Sequence, residues 1–220
     1  VNSYGKDLGL GVDFADLMAE IAQLPGEFWL RFMTSHPKDA SKKLFDTIAK
    51  YPRIAKQFHL PFQSGNDRVL KAMNRHYNRE EYLKLAHYGR QIMPELVLTS
   101  DVIVGFPGET EEEFAESLEF LKTCGLSMFH IFPYSRRKGT SAADMPDQIP
   151  NAVKERRAAE AASAAAELEA AYHASMLGTT QQVLFEQEEN GLYAGHAMNY
   201  VKVYVPVSYT HLRAHETRRH

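Results

Sequence analysis

The sequence of 220 residues predicts an α/β fold in which helices cover a parallel sheet or barrel. Apolar, strand-like runs alternate with helical patterns from residue 13 to residue 134, which favours this class. The strand-like runs are apolar on both faces, as is typical of parallel strands buried between layers of helices. A hydrophobic content of 44% supplies enough apolar residues for a core.

The elements of this α/β region are predicted in order along the chain. Helices are expected at 13–23, 39–51, 66–73 and 79–93, and strands at 28–34, 57–62 and 96–104. Thr110 with Glu113 matches a capping box, so another helix is expected to begin there. A strand at 127–133 follows that helix.

The character of the chain changes after residue 140. A polar linker with prolines precedes residues 151–177, whose alanine and glutamate content indicates a long helix. Short β-like segments with turn signals begin near residue 178. The final residues, SYTHLRAHETRRH, do not continue that pattern, resemble translated sequencing-adapter read-through and are given no function. We therefore divide the chain into 1–145, 146–177, 178–207 and 208–220, the last being a foreign tail.

Composition bounds the possible functions. The net charge of −3 gives no general case for binding nucleic acid, so local clusters at 136–138 and at Lys154, Arg156 and Arg157 are the candidates for RNA contact. The single cysteine, Cys124, excludes an intrachain disulfide and is expected to be a small buried residue. No apolar run reaches the roughly 18 residues of a membrane span, and a cytoplasmic protein is expected. Because the chain starts with Val1, it is expected to be a fragment.

Polar or glycine-rich clusters follow four predicted strands. They are Ser35–Pro37, Gln63–Gly65, Gly105–Thr110 and Ser135–Thr140. Because ligands of parallel α/β folds bind beyond the carboxyl ends of the strands, we expect one shared site there. Loops that are polar without a function are the alternative.

Asp101 and the loop after it are the most informative part of this predicted site. A buried carboxylate needs hydrogen bonds or a cation, although an exposed strand start in a shifted register would also accommodate Asp101. Gly105 and Gly108 allow close approach of the backbone to a ligand. Three glutamates in the next helical turn, at 111–113, disfavour a phosphate, so a neutral or zwitterionic ligand is expected.

No metal site is predicted from the spacing of possible ligands before residue 207. His59 and His130 lie in the middle of predicted strands and are expected to be satisfied core histidines. His211 and His215 have a helical spacing that could hold a metal, but they lie in the tail.

Several motifs in residues 1–143 resemble the radical S-adenosylmethionine methylthiotransferases, which add a methylthio group to a modified adenosine beside the tRNA anticodon. The matching stretches are VNSYGKD (1–7), RFMTSHPKD (31–39), HLPFQSGNDRVLKAMNRHY (59–77), TSDVIVGFPGETEEEF (99–114) and YSRRKGTSAA (134–143). The β-module is similar to the start of the RNA-binding TRAM domain of that family.

This resemblance implies a partial TIM-type radical SAM barrel, a long helix and an incomplete, small TRAM-like β-barrel. It also implies that S-adenosylmethionine and [4Fe–4S] clusters are the cofactors and that a tRNA anticodon stem-loop is the partner. The cofactor-binding residues that it implies are Gln63, Ser64, Arg75, Asp101, Gly105, Phe106, Pro107, Gly108, Glu109, Tyr134 and Arg137. A monomer is expected, with the oligomeric state left open.

The chain departs from the family because neither set of three cluster-binding cysteines is present. We therefore expect the 220 residues to be inactive alone. Residues 1–125 are most similar to the subgroup acting on N6-isopentenyladenosine, and the following residues to the subgroup acting on N6-threonylcarbamoyladenosine. Either the protein is intermediate or two genes were joined near residue 125. The alternatives are a non-catalytic RNA- or ligand-binding α/β module and an unrelated α/β-barrel enzyme.

Overall fold

The computed structural model describes residues 3–5, 7, 9–33 and 36–206 of the chain. The predicted tail, 208–220, lies outside the described residues. The elements are α1 Phe14–Ala22, α2 Lys42–Lys50, β1 Gln57–His59, α3 Asp67–Ala72, α4 Arg79–Ile92, β2 Val97–Val104, α5 Glu111–Thr123, β3 Met128–Pro133, α6 Asn151–Ser175, β4 Val183–Glu189, β5 Leu192–Ala197 and β6 Lys202–Pro206.

Strands β1, β2 and β3 form a parallel sheet in that order, which confirms the predicted α/β class. One face of the sheet is buried under helices, and its core residues include Phe58, Leu98 and Val102. The residues that alternate with them point to the opposite face. On that face His59 is paired with Thr99, and Asp101 is paired with His130.

The predicted strand at 28–34 is wrong for the described residues of that segment. Leu30 forms a single parallel bridge with Ile54 and no longer ladder. Phe32 explains the apolar pattern in another way, because its ring packs edge-to-face against Phe14 at 5.3 Å and Phe58 at 5.4 Å. Apolar character here reflects core packing, and Thr34 lies outside the described residues.

The strand predicted at 57–62 is shorter than expected and ends at His59. Phe62, the next residue after Leu60 whose N–H faces β2, donates instead to the Ser100 hydroxyl at 2.9 Å, which interrupts the ladder. Pairing with β2 resumes at Gln63, whose N–H donates to the carbonyl of Asp101 at 2.9 Å. The backbone there has a φ of +70°, which turns the chain out of the sheet.

The predicted capping box of α5 is confirmed. The Thr110 hydroxyl accepts from the Glu113 N–H, and the Glu113 carboxylate accepts from the Thr110 N–H. Asn78 and Glu81 form a second capping box at the start of α4. These local contacts start both helices where the sequence predicts.

The long helix α6 packs on the edge of the sheet at β3 and on α5. It buries the small residues Ala161, Ala164 and Ala165, which allow a close approach. None of the helices in the described part of the chain is long and apolar enough to cross a membrane.

Strands β4, β5 and β6 form a separate antiparallel sheet with a bulge near Phe185. The guanidinium of Arg31 donates to the carbonyl of Ala197 at 2.5 Å and joins this sheet to the first part of the chain. The described residues thus contain a three-stranded β-module, and its TRAM-like character stays a prediction, as do the domain boundaries.

Candidate functional site

A cavity of about 210 Å³ opens beyond the carboxyl end of β2. Its wall contains Arg75, Phe106 and Tyr134, three of the residues predicted to bind a cofactor. Ile103 of β2 adds an apolar surface, and residues after the loop at 135–140 close another side. The carboxyl edge of a parallel sheet is where ligands of α/β folds bind, so the cavity is our candidate site.

Two buried polar atoms of this cavity have no hydrogen-bond partner among the residues that the structure describes. They are the hydroxyl of Tyr134 and Nε of Arg75. Arg75 is otherwise held by its Nη1, which lies 3.4 Å from Nε2 of His36. An unsatisfied buried donor costs about 1–3 kcal/mol, so these atoms fit a ligand with acceptor oxygens. A carboxylate is the group that a guanidinium binds best.

Gln63 and Ser64 lie near the cavity but not in its wall. Ser64 is turned toward α5, where its hydroxyl lies 3.2 Å from that of Ser117 and accepts from the N–H of Asn66. Gln63 contributes its backbone to the pairing of β1 and β2, since its carbonyl accepts from Ile103 N–H at 2.8 Å. Cofactor contacts of their side chains stay predictions.

The loop between β2 and α5 approaches α6 closely. A Cβ added to Gly105 would lie 2.3 Å from Cγ of Lys154, and the φ of Gly105 is +72°. Glycine is therefore required here because the loop lies close to α6. The sequence had predicted close approach to a ligand instead. Gly108 also has a positive φ and donates to the carbonyl of Asp147 at 2.9 Å, while Pro107 is buried.

Glu109 is the centre of a buried ion pair. One carboxylate oxygen, Oε2, accepts from Gly105 N–H at 2.6 Å and from Nη1 of Arg157 at 2.8 Å. Burial raises the pKa of Glu109, whereas these two donors favour its ionised form. We assign it as a carboxylate because both donors point to it. Its side chain thus holds the loop in shape and does not line the cavity.

Arg157 is not available as the RNA contact that the sequence predicted, and Lys154 is partly engaged within the fold. The side chain of Arg157 is only 2% exposed, and Nζ of Lys154 donates to the carbonyl of Tyr134 at 3.1 Å. The helical spacing in the sequence could have indicated the burial of Arg157, because Arg157 lies on the same helix face as the buried Ala161, Ala164 and Ala165. An arginine on a face of small residues indicates a buried partner.

Arg137 is exposed and lies outside the cavity wall. Its neighbour Arg136 is anchored instead, since its Nε donates to the carbonyl of Ala143 at 2.7 Å. A cofactor role for Arg137 stays a prediction.

Asp101 lies in the middle of β2 between two histidines. Its Oδ2 is 3.4 Å from Nε2 of His59, and its Oδ1 is 3.1 Å from Nδ1 of His130. Burial acts to raise the pKa of Asp101, but the hydrogen bonds with His59 and His130 outweigh it and the pKa is lowered. This partnering is why a carboxylate occurs in an apolar strand.

The expectation that both histidines are core residues is wrong for His130, whose side chain is 67% exposed. His59 is largely buried and has a hydrogen bond with Thr99 at 2.8 Å. The three residues Asp101, His59 and His130 face the same side of the sheet, although Asp101 was predicted to meet a cofactor.

The single cysteine does not fit an iron–sulfur cluster. Cys124 is buried at the end of α5, and burial raises its pKa to about 11. Its Sγ lies 3.4 Å from the carbonyl of Leu121. Clusters are held by several thiolates, and no other cysteine exists in the 220 residues.

The sequence and fold are similar to those of known proteins. The model of the radical SAM superfamily matches residues 1–121. The tRNA-2-methylthio-N(6)-dimethylallyladenosine synthase of Desulfitobacterium hafniense (strain Y51) is 46% identical over 186 residues, which are 84% of this chain and 42% of that protein. The protein of the same name from Pelotomaculum thermopropionicum is 41% identical over 190 residues, 86% of this chain and 42% of that protein.

A solved structure supports the fold alone. Coproporphyrinogen III oxidase from Escherichia coli, described as a radical SAM enzyme, matches 76% of this chain and 37% of its own, with a TM-score of 0.50 and 17% identity. The chain spans about two fifths of the length of the curated relatives named above, 42% in each case.

Proposed function

Since this chain belongs to the radical SAM superfamily, we propose that it forms the cofactor-binding part of a tRNA methylthiotransferase. The proposed reaction transfers a methylthio group to C2 of an N6-modified adenosine beside the anticodon of tRNA. The names of both relatives support this reaction. The proposal also includes a cytoplasmic location and a monomer.

The observation that carries the proposal is the cavity with its two unpartnered buried atoms. S-adenosylmethionine has a carboxylate that Arg75 could bind, and a ribose and an adenine that offer acceptors to the Tyr134 hydroxyl. Ile103 and Phe106 supply the apolar surface that an adenine ring needs. When bound, S-adenosylmethionine supplies the methyl group and the radical chemistry after which the superfamily is named. A cavity of about 210 Å³ is smaller than a typical ligand pocket, so it takes one part of the cofactor.

No iron–sulfur cluster is assigned to these residues. Cys124 is buried, its thiol is disfavoured from ionising, and it is alone. We propose that the cluster ligands belong to other parts of a longer protein, in line with the share of the relatives that this chain spans. The chain's own contribution is then to bind and orient the cofactor.

The relatives named above favour dimethylallyladenosine, which is the isopentenyl substrate, over threonylcarbamoyladenosine. A match of 186 of the 220 residues must include position 125, so similarity to a single relative runs through the point of the predicted join. Because both subgroups share this region, the join itself stays a prediction. We propose the TRAM-like module at 178–207 as the part that contacts the anticodon stem-loop, with exposed Tyr193 and Tyr204 available for stacking.

The function is tested with the complete gene in a bacterial strain that lacks tRNA methylthiolation. Nucleosides from its tRNA are separated by chromatography and identified by mass spectrometry. We expect 2-methylthio-dimethylallyladenosine to appear. A methylthiolated threonylcarbamoyladenosine would show that the substrate is the other modified adenosine, while the proposed reaction would be supported. Binding of tRNA without either product would show a binding module and overturn the enzyme.

The cavity is tested separately through cofactor affinity of the complete, cluster-loaded protein. Arg75→Met removes a charge-assisted hydrogen bond worth about 1.5–3 kcal/mol, so S-adenosylmethionine should bind about 10- to 150-fold more weakly. Tyr134→Phe should weaken binding by a smaller factor, and Tyr193→Phe is the matched control, because the Tyr193 side chain is exposed. Unchanged affinity in Arg75→Met would remove the cavity from the cofactor site.

A further inference from the structure

Three side chains with metal-binding atoms meet on the face of the parallel sheet opposite the helix-packed core. His59 comes from β1, Asp101 from β2 and His130 from β3. The strand register brings them to one level, since Asp101 is opposite His130 and His59 is opposite Thr99, two residues before Asp101. Side chains two residues apart on a strand share a face, so the grouping follows from the pairing.

The distances within this group suit a metal ion. One ligand atom from each residue lies within 4.8 Å of the other two. The oxygens of Asp101 lie 3.4 Å from His59 Nε2 and 3.1 Å from His130 Nδ1. In a tetrahedral zinc site with bonds of about 2.0–2.1 Å, neighbouring ligand atoms are about 3.4 Å apart. The side chain of His130 is 67% exposed, so its rotation toward His59 can close the remaining gap.

The orientation of His59 is already set by a neighbour. Its Nδ1 lies 2.8 Å from the hydroxyl of Thr99, which leaves Nε2 directed at Asp101. Histidine ligands in metalloproteins are held in this way, with a hydrogen bond at one ring nitrogen and the metal at the other. Nε2 of Gln57 also donates to the same hydroxyl, at 3.5 Å.

The charge of the group also points to a cation. In the part of the chain that the structure describes, the ion-pair partners of Asp101 are these two histidines, with no lysine or arginine among them. Two imidazoles and one carboxylate form a ligand set used for zinc and for iron(II).

We propose that His59, Asp101 and His130 bind one divalent transition-metal ion of the zinc class. The three side chains supply three ligands, and the exposed side of His130 leaves a further position for water or a substrate atom. This site is distinct from the cavity at Arg75 and Tyr134, and it does not depend on the proposed function. The competing arrangement is a His–Asp–His hydrogen-bond network that binds no metal.

The test uses the purified 220-residue chain after treatment with a chelator. Titration with Co²⁺ at neutral pH should produce visible absorption bands of low-coordinate cobalt that saturate at one ion per chain. One equivalent of Zn²⁺ should abolish these bands by displacement. Absence of stoichiometric binding would overturn the metal site and leave the hydrogen-bond network.

Variants locate the ion. His130→Gln changes an exposed side chain, so it should lower affinity at least about tenfold while the circular dichroism spectrum stays the same. Thr99→Val should weaken binding by about 10- to 100-fold through the orientation of His59. His87→Gln on α4 is the matched control, because His87 is also exposed.

The histidines near the end of the chain need their own control. The double variant His211→Asn with His215→Asn should bind Co²⁺ like the parent chain. If that variant loses the ion, or if Asp101→Asn keeps it with unchanged affinity, the proposed site is wrong.

Discussion

Replacing Arg157 by methionine should lower the free energy of unfolding by about 3–5 kcal/mol. The magnitude follows from burial, because the guanidinium is 2% exposed and the carboxylate of Glu109 is 0% exposed. Methionine fills similar space but leaves a buried carboxylate without its cation. The N–H of Gly105 would be its remaining donor, which cannot replace a charge.

Arg156→Met is the matched control for this experiment. Arg156 precedes Arg157 on α6, and both donate to Glu111, Arg157 at 2.8 Å and Arg156 at 2.7 Å. The side chains of Arg156 and Glu111 are each about half exposed. An exposed ion pair contributes about 0.2–1 kcal/mol. The two variants therefore remove the same chemical group from the same helix and differ in burial.

The deficit of Arg157→Met should also depend on pH. Burial already raises the pKa of Glu109, and loss of the arginine removes an interaction that opposes this rise. A carboxyl group whose pKa is raised on folding contributes most to stability when it is protonated, below its unfolded pKa of about 4.3. This contribution to the free energy of unfolding is lost as pH rises through the pKa of the folded state. Compared with the parent chain, Arg157→Met should therefore lose less stability in acid than at neutral pH.

Urea unfolding followed by far-UV circular dichroism measures both effects. The parent chain, Arg157→Met and Arg156→Met are compared at neutral pH and near pH 4, which is close to the unperturbed pKa of a glutamate side chain, about 4.3. The reasoning is refuted if Arg157→Met costs no more than Arg156→Met. It is also refuted if the deficit of Arg157→Met is equal at the two pH values.

Two further predictions concern the same loop and helix α5. Gly105→Ala should destabilise the fold by more than Gly108→Ala in urea unfolding: both residues have positive φ and incur about 1–2 kcal/mol of backbone strain, but only Gly105 would place a Cβ against Lys154. Equal losses would mean that Lys154 yields. Cys124, whose pKa burial raises to about 11, should react with a thiol reagent only as fast as the chain opens, and stability should fall as pH rises from about 9 toward 11. Rapid labelling of the folded chain would contradict this.

The local elements of the fold could be predicted from the sequence because their causes are local. The capping box of Thr110 and Glu113 starts α5 where the pattern places it. The parallel strands predicted at 96–104 and 127–133 also form, at Val97–Val104 and Met128–Pro133, but the burial that their apolar pattern predicts is confirmed only for the first. The strand predicted from the apolar pattern at 28–34 is wrong, because the apolar side chain of Phe32 serves to pack against two other rings in the core.

The cavity residues Arg75, Phe106 and Tyr134 were reached through the motifs that resemble a family, and their contacts with one another required the structure. Prediction and structure differ most clearly at Glu109. Its position in the motif predicts a contact with the cofactor, whereas in the structure its carboxylate forms an ion pair with Arg157. Forty-eight positions separate these two residues along the chain, so no local pattern joins them.

The sequence by itself determined the α/β order, the helix starts and the family to which the motifs belong. Only the tertiary structure decided what each polar side chain meets. Asp101 lies between His59 and His130 because two strand registers align them, and register depends on how whole faces pack against the core. Contacts between distant segments follow from that packing, which the residues beside each strand do not specify.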